Sequence, residues 1–222
     1  MRKFKKLVLA CDGEGASGKS TGAKLISKKY GLLLINSGLI YRYCSKLIIQ
    51  NKPKNDILFL RKKLKKTSYN YITKQKLHSE EISKHVAIIA KNKKVREIVN
   101  SMQKKIISSN KKICVEGRDI ASKILAKKPK YDIAFYFKCS LDVASYRRWL
   151  DLKRLNKQIT LAEVKKSLKK RNELDVKRRF SPLIRTKDSI IIRTDILNKK
   201  AMVAKMSKEI EKKLLLKYGR SY

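Results

Sequence analysis

One stretch of the chain carries the clearest chemistry: Gly13-Glu14-Gly15-Ala16-Ser17-Gly18-Lys19-Ser20-Thr21 fits the pattern G-x-x-x-x-G-K-[ST]. Glycines at 13, 15 and 18 let the backbone curl so that successive N–H groups point inward at phosphate oxygens. A helix opening at Lys19 adds its positive N-terminal end to the same place. Lys19 supplies a point charge for β- and γ-phosphates, Ser20 a hydroxyl for Mg²⁺, and Thr21 a contact to an α-phosphate oxygen. A chance match arises in roughly one chain of this length per hundred. The run also stands between an apolar segment and a helical one, which is the context the motif requires.

Other polar groups gather after apolar runs. Asn36-Ser37-Gly38-Leu39-Ile40-Tyr41-Arg42 follows the second run and Glu116-Gly117-Arg118-Asp119 the third. Both fall at the carboxyl ends of predicted parallel strands, where ligands bind in open α/β sheets. Farther on, Arg171, Asp175 and Arg178 recur at i, i+4, i+7, one face of a helix. Clustered guanidinium groups suit a phosphoryl group passing between two polyanions, because they neutralise spread negative charge with bidentate geometry. Taken singly, the helical triplet also fits a solvated, salt-bridged face, and Asp119 a helix cap.

The elements that must position these residues follow from periodicity. Short apolar runs at 6–11, 32–37, 112–116, 133–138 and 190–194 read as buried strands of a mainly parallel sheet. Stretches at 19–30, 95–108, 141–155, 161–177 and 198–218 show helical spacing. Their alternation predicts an α/β domain with helices on both faces. Residues 39–94 break the pattern, with a Lys52-Pro53-Lys54-Asn55-Asp56 turn, a polar 67–73 segment and no clear buried strand. They read as an inserted, mobile subdomain.

Motifs in this order resemble the bacterial-type cytidylate kinases, the (d)CMP kinases of the nucleoside monophosphate kinase group. The resemblance rests on S-G-x-x-Y-R at 37–42, G-R-D at 117–119 and R-x-x-x-D-x-x-R at 171–178 after the phosphate loop, with a Val95-Arg96-Glu97 helix start. It implies a P-loop kinase core (1–38 and 95–222) with a five-stranded, mainly parallel sheet flanked by helices, an acceptor-binding insert at about 39–94 and a lid at about 148–166. It implies that Gly13 to Thr21 hold ATP, with Mg²⁺ on Ser20. Ser37, Arg42, Arg118 and Arg178 would surround the monophosphate of CMP or dCMP, with Tyr41 beside them. Arg96 and Asp119 would face the cytosine, and Arg171 and Asp175 the sugar. Lys19, Arg118 and Arg178 would carry the transfer, with Arg147 and Arg148 as candidates for a closing lid that excludes water.

The chain departs from that pattern in places. Glu14 stands where the family has a small residue or proline, and Asn36 where it has Asp. Ala121-Ser122 replaces Gly-Thr, and Ala87 aligns with a base-reading hydroxyl. The insert is also short. Loss of the hydroxyl suggests weaker cytosine discrimination and keeps UMP, or a non-nucleotide acceptor such as shikimate, as an alternative.

Composition bounds the rest. With 222 residues and 42% hydrophobic positions, the chain can bury one substantial core. Lys+Arg 58 against Asp+Glu 18 gives a net charge of +40, which alone would put a nucleic-acid partner first. The lysines are scattered from Lys3 to Lys217, however, as in a compositional drift, so no specific nucleic-acid partner is expected and a basic nucleic-acid-binding P-loop protein stands as the minor reading. No stretch approaches the ~20 apolar residues of a membrane span. The basic start followed by apolar residues 7–11 falls short of the ~7–15 residues of a targeting segment and reads as a strand. Cys11, Cys44, Cys114 and Cys139 form no CxxC pair, which suits reduced, buried thiols in a cytoplasmic protein; the family resemblance implies a monomer.

Overall fold

A computed structural model describes residues 4–128, 130–155 and 158–219. The apolar runs form strands β1 (Leu7–Gly13), β2 (Leu33–Asn36), β3 (Lys112–Gly117), β4 (Ile133–Lys138) and β5 (Ile190–Arg193). They lie in the order β2-β3-β1-β4-β5, with β1 parallel to β3 and β4, and β4 parallel to β5. Every residue of β1 is buried. A central parallel strand is covered on both faces, which is why it reads as an unbroken apolar run rather than an alternating one. The chain order reverses on either side of β1, which places the phosphate loop at the switch point of the sheet.

The chain divides into two compact units, Ile35–Asn110 and the remainder, Met1–Leu34 with Lys111–Tyr222. The larger unit contains α1 (Lys19–Tyr30), α7 (Leu141–Lys153), α8 (Leu161–Lys177), α9 (Lys199–Tyr218) and a π-helical turn at Ile120–Ile124. Its core joins Leu7, Leu9, Phe135, Phe137 and Ile192 of the sheet to Ala23 and Ile26 of α1 and to Met202, Met206, Ile210 and Leu214 of α9. The α9 residues recur every fourth position, so one stripe of that helix faces the sheet. Helix α1 ends with Lys28 and Lys29 against its negative terminus and with Gly31 in the left-handed conformation (φ 61). Cys11 and Cys114 are buried free thiols with sulfurs 3.7 Å apart. Their mutual contact, reinforced by burial, holds the Cys11 thiol well above its ordinary value, so Cys11 is not poised as a nucleophile.

The smaller unit is helical: α2 (Ser37–Asn51), α3 (Asp56–Lys66), α4 (Tyr69–Thr73), α5 (Glu80–Ile89) and α6 (Lys93–Ser108). The break in pattern over 39–94 is therefore a run of short helices. Each opens on a polar cap, Asn36, Asn55, Ser68, Ser79 and Asn92, whose side chain accepts a backbone N–H of the first turn. Leu60, Ile72, Leu77 and Val99 are fully enclosed, and the Tyr43 and Tyr71 rings meet edge to face at 6.1 Å.

The seat of α1 on β4 allows no side chain at Gly22. A Cβ there would stand 2.5 Å from Cε1 and 2.7 Å from Cζ of Phe137. Gly22→Ala is expected to destabilise the protein by about 1–3 kcal/mol through overpacking, against a helix-propensity gain of about 1 kcal/mol. The check is a lower urea midpoint at unchanged m-value.

Candidate active site

The phosphate loop leaves β1 tightly against β4. At Gly13 (φ 155) a Cβ would lie 2.3 Å from the Phe137 carbonyl oxygen. The loop then curls through Ala16 (φ 55) and Gly18 (φ 77), both in the left-handed region, a strained choice for the alanine. Within the curl, the Ser17 hydroxyl donates to the Glu14 carbonyl at 2.9 Å and the Lys19 ammonium donates to the same oxygen at 3.1 Å. Burial pushes the Lys19 ammonium down to about 7, and Arg118 adds to the effect while Glu116 opposes it. A bound polyanion would supply the opposing charge that this lysine lacks within the loop.

Two elements brace the loop from outside. Thr194, just past β5, donates its hydroxyl to the Ser17 carbonyl at 2.9 Å. Arg147 of α7 donates in turn to the Thr194 hydroxyl at 3.1 Å and to its carbonyl at 2.7 Å. Arg147 thus reaches the loop through Thr194; Arg148 follows it on α7, half-buried. From α8, Asn172 accepts the Gly15 N–H at 2.9 Å. A Cβ on Gly15 would stand 2.5 Å from Cδ1 of Leu168, so the missing side chain is what lets the Leu168, Asn172 and Asp175 face of the helix approach. Asn172 and Thr194 were not singled out from the sequence; the only hint was their place beside Arg171 and at the end of the fifth apolar run.

Ser20 and Glu116 are the oxygen-bearing side chains that could hold a divalent cation. Ser20 and Thr21 lie exposed in the first turn of α1, and the Ser20 hydroxyl donates to Oε1 of the buried Glu116. Oxygen donors suit Mg²⁺, which keeps most of its shell for water and phosphate. Among the described residues no cluster of three His, Cys, Asp or Glu could hold a metal. Glu116 immediately precedes the G-R-D motif but was not read as a site residue.

The residues expected around the acceptor divide between the units. In the larger one, Arg118 donates to the Gly13 carbonyl at 2.9 Å and pairs with Asp175 at 3.3 Å. Arg178 pairs with Asp175 at 3.3 Å, approaches Asp119 at 3.8 Å and donates to the Ser181 carbonyl. Burial works against the charge on Arg118, and Asp175 offsets it. Arg171 is exposed on the same helix. In the smaller unit, Ser37 donates to Gln103 at 2.7 Å, and Arg42 donates to the Leu77 carbonyl at 3.1 Å and the Ser83 hydroxyl at 2.9 Å. There the buried Arg96 lies 5.6 Å from the ring centre of Tyr41 and donates to the Ala90 carbonyl. Ala87 is exposed on α5. Asn36 spends its side chain as the α2 cap, accepting from Leu39 at 3.3 Å.

A parallel sheet whose central strand feeds a G-x-x-x-x-G-K-[ST] loop, with arginine–carboxylate pairs beside it, defines a P-loop kinase. Solved structures share the fold: an uncharacterized protein from Eubacterium ventriosum (TM-score 0.55, 16% identity, 93% of this chain and 99% of that one) and a shikimate kinase from Bacteroides thetaiotaomicron (TM-score 0.50, 11% identity, 92% and 98%). The sequence profile described as cytidylate kinase matches residues 9–212. Cytidylate kinases from Fusobacterium nucleatum (30% identity, 93% of this chain and 98% of the relative) and Clostridioides difficile (32%, 85% and 90%) are similar over nearly their whole length. The chain belongs to the cytidylate kinase family. Among the described residues no helix is long and apolar enough to cross a membrane.

The brace under the loop is testable by an isosteric change. Thr194→Val removes the hydroxyl between Arg147 and Ser17, and a lost hydrogen bond of about 0.5–1.5 kcal/mol should weaken ATP binding about two- to tenfold. Calorimetric titration with ATP measures it; unchanged affinity would remove Thr194 from the donor site.

Proposed function

We propose that the protein transfers the γ-phosphoryl group of MgATP to CMP or dCMP, giving CDP or dCDP and ADP. The observation that carries this reading is Arg118: in a chain of the cytidylate kinase family, one guanidinium joins the donor loop at Gly13 to Asp175 of the acceptor helix. In this scheme the 13–21 loop and Lys19 hold the triphosphate, and Ser20 with Glu116 beside it would hold Mg²⁺. The ion, when bound, neutralises phosphate charge. Arg118 and Arg178 face the monophosphate, with Asp119 reading the base and Arg171 and Asp175 the sugar. The other residues proposed for the acceptor, Ser37, Tyr41, Arg42 and Arg96, belong to the smaller unit. Positioning and charge stabilisation carry such a transfer with little help from a general base.

The proposed organisation is a core at 1–38 and 95–222, an acceptor insert at about 39–94 and a lid at about 148–166; of these, residues 1–3, 129, 156–157 and 220–222 lie outside the described residues. Arg147 and Arg148 would sit at the base of that lid. The enzyme so read is a cytoplasmic monomer that uses no specific nucleic acid or membrane. The likeness to a shikimate kinase is one of fold.

Lys19→Ala should lower turnover by orders of magnitude, about a thousandfold or more, with thermal unfolding unchanged; near-normal turnover would remove the loop from the reaction. A panel of CMP, dCMP, UMP, AMP, GMP and shikimate, followed by ADP release from MgATP, should show preference for CMP and dCMP. Comparable use of UMP would trace to Ala87, and no acceptor-dependent ADP release from a folded, ATP-binding protein would overturn the proposed reaction.

A further inference from the structure

Asp12, the penultimate residue of β1, is only 2% exposed. Its Oδ1 accepts the Ile120 N–H at 2.8 Å and its Oδ2 the Ala121 N–H at 2.7 Å. These are the first two residues of the π-helical turn Ile120–Ile124, and Asp119 at its start makes no side-chain cap. The next β1 residue, Gly13, takes the Arg118 guanidinium on its carbonyl. Two consecutive residues of the central strand therefore hold the Gly117-Arg118-Asp119 segment from both sides. A buried central strand needs no carboxylate for its own stability, and an ionised one is costly there unless its hydrogen bonds are met.

We propose that Asp12 is a positioning residue of the acceptor site: its two-oxygen grip on Ile120 and Ala121 fixes the direction in which Arg118 and Asp119 leave the sheet. The inference rests on the reading of Arg118 and Asp119 as acceptor residues.

The grip also titrates near neutrality. Burial pushes the carboxyl up to about 7, Asp119 adds to this, and the two N–H donors and Lys19 oppose it. Its charge is also felt by Cys11 beside it on β1, Tyr136 opposite it on β4, and Tyr131; opposite it on β3 stands Gly117, without a side chain. Ionised, Asp12 accepts both N–H groups. Protonated, one oxygen becomes a donor facing a donor, and one bond is lost. Acceptor handling therefore weakens as pH falls through about 7. The stability contribution runs the other way: a carboxyl raised from its unfolded value of about 3.9 favours the fold at low pH and loses that contribution as pH rises through 7. A residue that served only stability could not produce an acid-side loss.

The test uses the full chain with Asp12→Asn, Asp119→Ala and the double variant, measuring KM for CMP and for ATP, kcat/KM between about pH 5.5 and pH 9, and thermal unfolding. Asp12→Asn should raise KM for CMP about tenfold, as expected for one lost buried hydrogen bond to a charge, and KM for ATP by less than about twofold. It should also abolish an acid limb near pH 7 in kcat/KM for CMP. Limbs from the substrate phosphates persist in every variant. On the Asp119→Ala background the Asp12 change should add little. Equal effects on both substrates in a folded variant, an unchanged acid limb, or full additivity would each overturn the proposal. So would a wild-type profile in which CMP and ATP share one acid limb, a result that needs no variant to fold. If Asp119→Ala leaves KM for CMP unchanged, the acceptor reading of Asp119 fails instead; if it acts selectively and Asp12→Asn does not, the Asp12 proposal fails.

Discussion

The guanidinium of Arg118 is the point on which the larger unit's site depends. One of its nitrogens is spent on the Gly13 carbonyl and another on Asp175, so the start of the phosphate loop and the face of α8 share a single rigid fork. The charge is expensive to bury, and the molecule meets the cost with Asp175 while accepting that Arg171 and Lys19 stand near. Burial is the main reason the Lys19 ammonium is pushed down to about 7, and the positive charge of Arg118 and Arg171 adds to it. A site arranged in this way is incomplete in charge rather than in shape, and a phosphate group is the ligand that balances it.

Around this fork the loop is held by side chains that come from far along the chain. Thr194 grips Ser17, Asn172 grips Gly15, and Leu168 fills the space that a side chain at residue 15 would need. None of these contacts has a local spacing, so periodicity could not announce them. The loop itself was legible because glycine positions, a lysine and a hydroxyl are required within a few residues of one another. Asn36 shows the converse: a departure from the family pattern, it acts as the α2 cap, a role that needs only a short side-chain oxygen, which Asn provides as readily as Asp.

The sheet was legible almost to the residue, since buried parallel strands appear as continuous apolar runs, and the predicted 133–138 strand is the observed one. The helices of 39–94 were not. Their caps, Asn55, Ser68 and Ser79, are the residues that also mark turns, and α3 carries Arg61, Lys62, Lys63, Lys65 and Lys66 exposed against only Leu60 and Leu64 inside. With two buried residues in eleven positions, an amphipathic stripe hardly rises above the basic background.

That background separates by residue type in a way that bears on the net charge. The lysines of α9, Lys199, Lys200, Lys205, Lys208, Lys212, Lys213 and Lys217, are exposed on the sides away from the buried stripe. By contrast Arg42, Arg118, Arg147 and Arg178 are half-buried and each makes at least two polar contacts, while Arg96 is buried against Tyr41. A lysine ammonium is a hydrated point charge that tolerates any wet surface but cannot span two fixed acceptors in a plane. Surface lysines can therefore accumulate with little effect on packing, whereas Arg42, Arg118, Arg147 and Arg178 each hold two fixed groups at once. Most of the positive charge therefore sits on surface lysines, while the candidate site draws on Lys19 and a small set of enclosed arginines.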